Sequence, residues 1–334
     1  MGDDAANLLW RDAAQPPFQA HGLVKSRQSG RFHRLPDSLI DAVSPEIAVL
    51  ATHTAGGRIR FATDASAIAV RVKPLYAELA AHMPLTGTTG CDLYLDGVYA
   101  ATLRPGGADG AMYEGLVQKE PVMREVLLHL PLYNGVECLS IGLAESALVR
   151  PAAPYRVQPP VLFYGSSITQ GACASRPGNA YTGFLSRWLD ADIINLGFSG
   201  ACKGEPAMAE YIAGLSLRAV VLDYDHNAPD AGHLLRTHAP FFRILRDAQP
   251  ALPVVMVSRP VAEASPDELE RRDIVKATYA QAKARGDEKV WFIDGGTLLG
   301  QEDRDACTVD GSHPNDLGFY RMARAMLPVL RQAL

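Results

Sequence analysis

Cysteine is scarce in this chain of 334 residues, and its spacing excludes two common uses of the residue. The cysteines are odd in number, and none belongs to a Cys-x-x-Cys pair or a cluster of histidines. This pattern indicates neither a zinc site nor a disulfide framework. We therefore expect no metal, and reduced cysteines that serve as small apolar side chains, at positions 91, 138, 173, 202 and 307. Reduced thiols favour a cytoplasmic location, unless a signal peptide has been removed.

Long apolar runs and clusters of basic residues are also absent. No stretch of eighteen apolar residues occurs, so we expect no membrane-spanning helix. The net charge is −5, and lysines and arginines form no stripe, which argues against a nucleic-acid-binding surface. Residues 1–6 are acidic and lack the basic segment and apolar core of a signal peptide.

The length and the changing pattern of the chain predict two domains. A chain of 334 residues is longer than one hydrophobic core usually supports, and the Pro-Ala-Ala-Pro of residues 151–154 is a natural linker. Residues 1–154 contain short strand-like runs between turns, whereas in residues 155–334 strands alternate with helices. Because the linker is short and its prolines are stiff, we expect a fixed interface at which the first domain helps to shape a ligand pocket.

The first domain is predicted to be all-β, either a β-sandwich or a jelly roll. A turn signal at Asp96-Gly97 indicates a hairpin, and a second turn signal lies at Asn134-Gly135. At least seven strands occur at sandwich-like spacing. The expected strands are at residues 47–52, 59–63, 68–72, 91–96, 98–103, 126–130 and 136–141.

The second domain is predicted to be a three-layer α/β fold with a five-stranded parallel sheet. Apolar runs bounded by glycine and proline alternate with stretches of helical periodicity. We expect strands at residues 161–164, 192–196, 219–224, 253–258 and 289–294, and helices that start near Ala180, Pro206, Ala231, Pro266 and Asn315. In such a sheet, ligands bind beyond the carboxyl ends of the strands.

The first of these strands ends in Gly165-Ser166-Ser167, which places a hydroxyl group where ligands bind. A serine there is a candidate nucleophile, although serine is also common in such loops as a helix N-cap. Near the end of the chain, Asp310 and His313 are three positions apart, so the carboxylate can reach one ring nitrogen and leave the other for a serine. Pro314 suits a helix entrance directly after His313. The alternative is that Asp310 is a turn residue and His313 a surface residue.

Two other predicted strands are followed by residues that could bind an oxyanion. Gly200 follows the run 193–196, and Asn227 follows the run 219–222. A glycine backbone N–H and an asparagine amide are both suitable donors to a tetrahedral intermediate. In this order, the four blocks resemble those of the GDSL, or SGNH, hydrolases, whose second name lists Ser, Gly, Asn and His. The resemblance covers residues 155–334.

The resemblance implies a Ser-His-Asp catalytic triad. Ser167 occupies the third position of the GDSL motif and would be the nucleophile, while Ser166 replaces the usual aspartate. Asp310 and His313 match the Asp-x-x-His block without departure. The resemblance also implies that no cofactor is needed.

The resemblance implies an oxyanion hole as well. Its donors would be the backbone N–H groups of Ser167 and Gly200 and the side-chain amide of Asn227. The block around Asn227 departs from the usual Gly-x-Asn-Asp, because it reads Asp225-His226-Asn227-Ala228.

Three other polar residues near the strand ends have roles that the sequence leaves open. Arg259 follows the fourth strand and could reach the site or form a salt bridge, of which we favour the salt bridge. Asp223 and Asp225 form an acidic pair near Asn227, but no third ligand lies nearby in sequence, so we discount a metal there.

The resemblance implies a serine esterase that works through an acyl-enzyme. A β-sandwich followed by an SGNH domain is similar to bacterial acetylesterases that act on carbohydrates, which implies a short acyl ester, acetyl in particular, on a sugar or glycoside. Two alternatives remain open: an acyltransferase with the same acyl-enzyme, and a non-catalytic protein that binds glycans. We expect a small-molecule or carbohydrate ester as partner, with neither nucleic acid nor membrane; the sequence does not indicate an oligomeric state.

Overall fold

The computed structural model describes residues 8–77 and 80–334. Residues 1–6, whose acidic composition argued against a signal peptide, lie outside the described residues. Within the part of the chain that is described, no helix has both the length and the apolar character needed to cross a membrane.

The first half of the chain consists mainly of short strands. They are β1 (Leu8–Asp12), β2 (Gln19–His21), β3 (Val24–Lys25), β4 (Phe32–His33), β5 (Arg58–Thr63), β6 (Ala67–Pro74), β7 (Cys91–Leu95), β8 (Val98–Leu103), β9 (Tyr113–Gln118), β10 (Arg124–His129), β11 (Val136–Ala144) and β12 (Val149–Arg150). Within the described residues, three short helices interrupt them, α1 (Asp37–Ile40), α2 (Pro45–Leu50) and α3 (Leu85–Thr88).

Two antiparallel sheets of this half pack face to face around an apolar core. One has the order β1-β11-β6-β9, and the other has the order β12-β5-β10-β7-β8, with β2 paired to β5. Ile59 and Phe61 of β5 and Val70 and Ile141 of the opposite sheet are fully buried between them. Alternate residues of each strand point inward, which explains the alternating runs of the sequence. The predicted β-sandwich is confirmed.

The two turn signals of this half have different outcomes. Asp96 and Gly97 both have positive φ, 49° and 78°, and they join β7 to β8 as the predicted hairpin. The turn at Asn134-Gly135 connects β10 to β11, which belong to opposite sheets. It therefore carries the chain from one sheet to the other.

The strand predicted at residues 47–52 is wrong, because this segment contains helix α2. Ser44 caps the helix by accepting a hydrogen bond from the Ile47 N–H at 3.3 Å, and Pro45 occupies its first position. A helix of six residues is too short to show a helical period in the sequence. Ile47 and Ala51 pack into the core of the second half, so α2 belongs to the contact between the halves.

The second half alternates strands and helices as predicted. Its strands are β13 (Val157–Gly165), β14 (Ala191–Gly197), β15 (Ala219–Asp223), β16 (Val254–Val257) and β17 (Val290–Ile293). Its helices are α4 (Ser167–Gln170), α5 (Tyr181–Leu189), α6 (Pro206–Ala213), α7 (Ala231–Ala248), α8 (Pro266–Ala284) and α9 (Asp316–Ala333).

These five strands form one parallel sheet with the order β14-β13-β15-β16-β17. Leu162 and Tyr164 of β13 pack toward α6, α7 and α8, whereas Val161 and Phe163 pack toward α5 and α9. Because helices cover both faces, the strands read as continuous apolar runs. The predicted three-layer α/β fold with a five-stranded parallel sheet is confirmed.

Buried charges connect the two halves of the chain. Arg58 of β5 has a fully buried side chain that donates to Asp192 Oδ1 of β14 at 2.5 Å. Asp92 of β7 is also fully buried and accepts hydrogen bonds from Arg176 at 2.5 Å and from the Gly178 N–H at 3.0 Å. An unpaired buried charge is strongly unfavourable, so each of these groups requires its partner across the interface.

Candidate active site

Three of the sequence blocks meet at one edge of the parallel sheet. Gly165, at the end of β13, pairs with Gly197 at the end of β14 and with Asp223 at the end of β15. The strand order reverses at β13, and α/β sheets bind ligands at such a point. Ser167 lies two positions after the end of β13, Gly200 three positions after the end of β14, and Asn227 four positions after the end of β15.

The two adjacent serines after β13 have different environments. Ser166 caps helix α4, because its hydroxyl accepts a hydrogen bond from the Ile168 N–H at 3.2 Å. Ser167 is the first residue of α4, and its hydroxyl oxygen lies 3.0 Å from His313 Nε2. A Cβ at Gly165 would lie 2.1 Å from a side-chain oxygen of α4, so this sharp turn requires glycine. The structure therefore brings Ser167, and not Ser166, to His313.

His313 connects Ser167 to Asp310 through its two ring nitrogens. Its Nδ1 lies 2.7 Å from Asp310 Oδ2, and Asp310 Oδ1 accepts the backbone N–H groups of Ser312 and His313 at 3.0 and 2.7 Å. Partial burial opposes ionisation of Asp310, but the hydrogen bonds from His313 and Ser312 outweigh it and lower the pKa of the carboxyl to about 2. An ionised carboxylate can only accept, so the ring proton lies on Nδ1 and Nε2 is free to accept from Ser167.

A hydrogen bond between two of its own backbone groups closes the loop that carries His313. The Val309 N–H donates to the His313 carbonyl at 3.0 Å. Two residues later, Asn315 caps α9 by accepting the Gly318 N–H at 3.2 Å. The imidazole is thus held at the entrance of a helix, as the proline at position 314 indicated.

Gly200 and Asn227 lie on two loops that are joined by a hydrogen bond. Gly200 has a φ of +67°, which favours glycine, and a Cβ there would meet nothing within 4 Å. The Asn227 amide donates to the Phe198 carbonyl at 2.9 Å and keeps a second N–H. The Phe198 N–H in turn donates to the carbonyl of Gly165 at 2.9 Å. Gly200 and Asn227, which the sequence predicted as oxyanion donors, therefore both lie near the end of β13. The Ser167 N–H lies at the same end and has no acceptor within its own helix.

Arg259 makes both of the contacts that the sequence left open. Its guanidinium forms an ion pair with Glu268 at 2.6 Å and donates to Ser312 Oγ at 3.1 Å. Because Ser312 precedes His313, Arg259 contacts the loop that carries His313 as well as forming a salt bridge.

Asp223 and Asp225 are buried beneath the strand ends. Asp223 accepts hydrogen bonds from Thr169 Oγ1 and Tyr181 OH, each at 3.0 Å, and burial together with the charge of Asp225 raises its pKa to about 8. Asp225 accepts the Arg259 backbone N–H at 3.0 Å, and burial raises its pKa to about 6. Both carboxyl groups therefore contact interior donors at the edge of the sheet.

His226 lies beside the contact between Arg259 and Ser312. Arg259 donates to Ser312 Oγ at 3.1 Å, and the same oxygen lies 3.3 Å from His226 Nε2. Burial, followed by the charge of Arg259, lowers the pKa of His226 to about 3. His226, which precedes Asn227, is therefore neutral at ordinary pH.

His82 and Tyr133, of the first half, contact this site, and sequence reasoning missed both. The His82 ring lies 5.6 Å from the His313 ring between centroids, and the Tyr133 hydroxyl donates to the Ser167 carbonyl at 3.1 Å. Among the described residues, His82, Asp310 and His313 are the group whose ligand atoms are close enough to hold a metal, and the last two already bond to each other. No motif could have indicated His82 or Tyr133, because both are remote from the four blocks in sequence.

Two family profiles match successive parts of the chain. The profile of the GDSL-like lipase/acylhydrolase family matches residues 158–331. This chain belongs to that family. A second profile, for the N-terminus of SGNH-hydrolase-type esterases, matches residues 8–149 of this GDSL-family hydrolase. The resemblance inferred from the four sequence blocks is therefore confirmed.

Several solved structures share the fold of this GDSL-family hydrolase. A protein of Bacteroides ovatus, named as a GDSL-like lipase, is 28% identical with a TM-score of 0.86, over 98% of each chain. The salicylyl-acyltransferase SsfX3 from a tetracycline biosynthetic pathway is 19% identical with a TM-score of 0.81, over 97% of each chain. The acetyl xylan esterase Est2A of Butyrivibrio proteoclasticus is 12% identical with a TM-score of 0.61, over 97% of this chain and 98% of that one. No curated protein matches the sequence significantly.

Family membership determines the class of reaction. The GDSL-family chain is a carboxylic ester hydrolase, as the sequence blocks predicted. The alternative of a non-catalytic protein that binds glycans is therefore not retained.

Proposed function

We propose that this hydrolase is a serine esterase that removes short acyl groups, acetyl in particular, from a sugar or glycoside. The observation that supports it most strongly is the continuous connection from Ser167 Oγ to His313 and on to Asp310, with distances of 3.0 and 2.7 Å. A serine nucleophile requires a base within hydrogen-bond reach and a group that orients the base. Ser167, His313 and Asp310 meet both requirements.

In the first step, Ser167 Oγ attacks the ester carbonyl carbon while His313 Nε2 takes the hydroxyl proton. Ionised Asp310 stabilises the imidazolium that forms, through its contact with Nδ1. The bond from the carbonyl carbon to the alcohol oxygen then breaks, and His313 returns the proton to that oxygen. The alcohol leaves, and the acyl group stays on Ser167 as an ester.

In the second step, water enters the place of the alcohol. His313 takes one proton of the water as its oxygen attacks the acyl carbon. The bond from that carbon to Ser167 Oγ breaks, and His313 gives the proton back to the serine. The products are a carboxylic acid and the regenerated enzyme.

Both steps pass through a tetrahedral oxyanion that needs hydrogen-bond donors. We assign this role to the N–H groups of Ser167 and Gly200 and to the second N–H of the Asn227 amide. Donors held in place before the reaction stabilise the charge that develops in the transition state. The hydrogen bond from Asn227 to Phe198 supports the assignment, since it holds the amide against the loop that carries Gly200.

An open groove that includes Asp310, but neither Ser167 nor His313, has a lining that suits a hydroxyl-rich alcohol. It has a volume of about 890 Å³, begins at Asp310 and is lined mostly by polar side chains, among them Glu263, Glu268, Arg304 and Thr308. A long acyl chain would require an apolar lining instead. The shared fold with an acetyl xylan esterase agrees with a carbohydrate ester.

Acyl transfer is the second candidate function, because the salicylyl-acyltransferase SsfX3 shares the fold over almost the whole chain. In that reaction, an alcohol would take the place of water in the second step. The same triad and oxyanion donors would serve both reactions.

The substrate class can be tested with p-nitrophenyl esters from acetate to octanoate and with acetylated xylo-oligosaccharides. We expect the highest kcat/KM among the p-nitrophenyl esters for acetate, release of acetate from the oligosaccharides, and no turnover of either by Ser167→Ala. A preference for octanoate would contradict the proposed acyl length. A reaction with a methyl glycoside as acceptor distinguishes hydrolysis from transfer. The masses of its products are measured by mass spectrometry.

A further inference from the structure

Ser312 lies between Asp310 and His313 in the chain, and two hydrogen bonds to Asp310 depend on its position. The peptide groups on either side of the Ser312 Cα both donate to Asp310 Oδ1, through the N–H of Ser312 at 3.0 Å and the N–H of His313 at 2.7 Å. The other carboxylate oxygen, Oδ2, lies 2.7 Å from His313 Nδ1. The position of Ser312 therefore determines how the carboxylate is presented to the imidazole.

The loop of residues 309–313 is not fixed by burial. Val309, Asp310 and Gly311 are exposed, and Gly311 has a φ of +81° with nothing within 4 Å of where its Cβ would lie. In the described part of the chain, the hydrogen bonds of these three residues stay within residues 308–313. The loop therefore needs a contact from another element to hold it in place.

Arg259, directly after β16, supplies such a contact. Its Nη2 donates to Ser312 Oγ at 3.1 Å. Its Nη1 forms an ion pair with Glu268 of α8 at 2.6 Å, and its backbone N–H donates to the buried Asp225 at 3.0 Å. A guanidinium is planar and presents its donors in a rigid fork, so a partner on one nitrogen fixes the direction of the other. Glu268 thus directs Arg259 toward Ser312.

This arrangement matters because the imidazole has to be oriented before the reaction. In the proposed mechanism, His313 Nε2 takes the proton of Ser167 while Asp310 holds Nδ1. Small displacements of reacting groups slow catalysis strongly. A loop that moved at Ser312 would move both N–H donors of the Asp310 carboxylate.

We propose that Arg259 is a positioning residue that anchors Ser312 and thereby keeps the Asp310 carboxylate in place to orient His313. It acts through Ser312 Oγ and does not touch the reacting atoms. The proposal rests on the proposed serine-esterase mechanism, since it presumes that His313 is the base and that Asp310 orients it.

The test is Ser312→Ala and Arg259→Met, each in the full chain, with p-nitrophenyl acetate as substrate. Each change should lower kcat roughly 10-fold, less than the loss typical of removing a triad member, because the triad residues themselves remain. KM should change by less than about twofold, since orientation of the base acts mainly on the transition state.

Arg246→Met is the matched control. Arg246 of α7 also forms a largely buried ion pair, with Asp287 at 2.8 Å, but it donates to the Lys289 carbonyl at the opposite edge of the parallel sheet. This variant should keep kcat within about twofold of wild type, even where its melting temperature falls as much as that of Arg259→Met.

A double-mutant cycle separates anchoring from general loosening. If Arg259 and Ser312 act through one contact, the double variant should lose no more than about twofold beyond the more damaged single variant. Ser312→Ala removes only a hydroxyl group, and it carries the test alone if Arg259→Met does not fold, as judged by circular dichroism.

Three results would overturn the proposal: kcat of Ser312→Ala within about twofold of wild type, a raised KM with unchanged kcat, or losses that multiply in the double variant. Ser167→Ala separates these results from failure of the proposed function. An active Ser167→Ala would reject the serine mechanism itself, whereas an inactive Ser167→Ala beside a fully active Ser312→Ala would reject only the role of Arg259.

Discussion

Ser166 and Ser167 are adjacent in sequence, yet their hydroxyl groups have different partners. The Ser166 hydroxyl accepts the Ile168 N–H and caps helix α4, while the Ser167 hydroxyl lies 3.0 Å from His313 Nε2. A helix cap and a nucleophile both suit serine, so the residue type alone does not distinguish them. The contact with His313 is the observation from which we propose Ser167, and not Ser166, as the nucleophile.

Ser167→Ala should therefore lower kcat for p-nitrophenyl acetate by roughly 10³-fold or more, as loss of the nucleophile does in serine hydrolases. Ser166→Ala should keep most of the activity and lower the stability by about 1 kcal/mol, the usual effect of losing a cap. Labelling with a fluorophosphonate, followed by peptide mass mapping, should find the adduct on Ser167. Greater damage from Ser166→Ala than from Ser167→Ala would reverse the assignment.

Asn227→Ala should lower kcat by roughly 10²-fold with little change in KM, because an oxyanion donor acts mainly on the transition state. Asn227→Asp keeps the size of the side chain but replaces the donor by an acceptor, and it should be at least as damaging. Steady-state kinetics on p-nitrophenyl acetate measure both variants. If kcat is unchanged in Asn227→Ala, the amide has no part in the oxyanion hole.

The buried carboxyl of Asp223 should make stability depend on pH. Burial and the charge of Asp225 raise its pKa in the folded protein from the ordinary 3.8 to about 8. Below the ordinary pKa, the carboxyl is protonated in both the folded and the unfolded state, so it does not make the stability depend on pH. Between the two values, the unfolded chain loses the proton more readily, so the folded state loses stability as the pH rises.

Asp223→Asn removes this titration and keeps an oxygen that can accept from Tyr181 and Thr169. Its melting temperature should therefore improve relative to wild type as the pH rises from about 5 to about 8. Asp109→Asn, at an exposed turn, is the control and should show no such trend. If the melting temperatures of Asp223→Asn and wild type differ by the same amount at both pH values, the pKa of Asp223 does not make the stability depend on pH.

Residues 155–334 expressed alone should lack the activity and the selectivity of the full chain. Leu35 and Ile47 of the first half lie in the same apolar core as Leu196 and Phe198, and the fragment would also lose Tyr133. The measurement compares turnover of a small acetyl ester and of a bulky one by the fragment and by the full chain. A soluble, folded fragment with equal activity on both esters would show that the first half does not shape the site.

The sequence by itself was sufficient for the architecture of the second half. Strands buried on both faces must be apolar along their whole length, so runs such as 219–222 indicate strands without any knowledge of their neighbours. The blocks with Ser167, Gly200 and Asn227 could be listed for the same reason, because each is a short local motif that follows such a run. Asp310 and His313 could be listed because they are three positions apart, just before the last helix. Their chemical roles remain predictions.

The tertiary structure alone decided which groups surround these blocks. Helix α2 was missed because its six residues are fixed by a cap and by packing against the other half, and not by a periodic pattern. Tyr133 and His82 reach Ser167 and His313 from the first half of the chain. A local pattern records which face of an element is buried, but not which distant element covers it, and that pairing is decided only when both halves pack together.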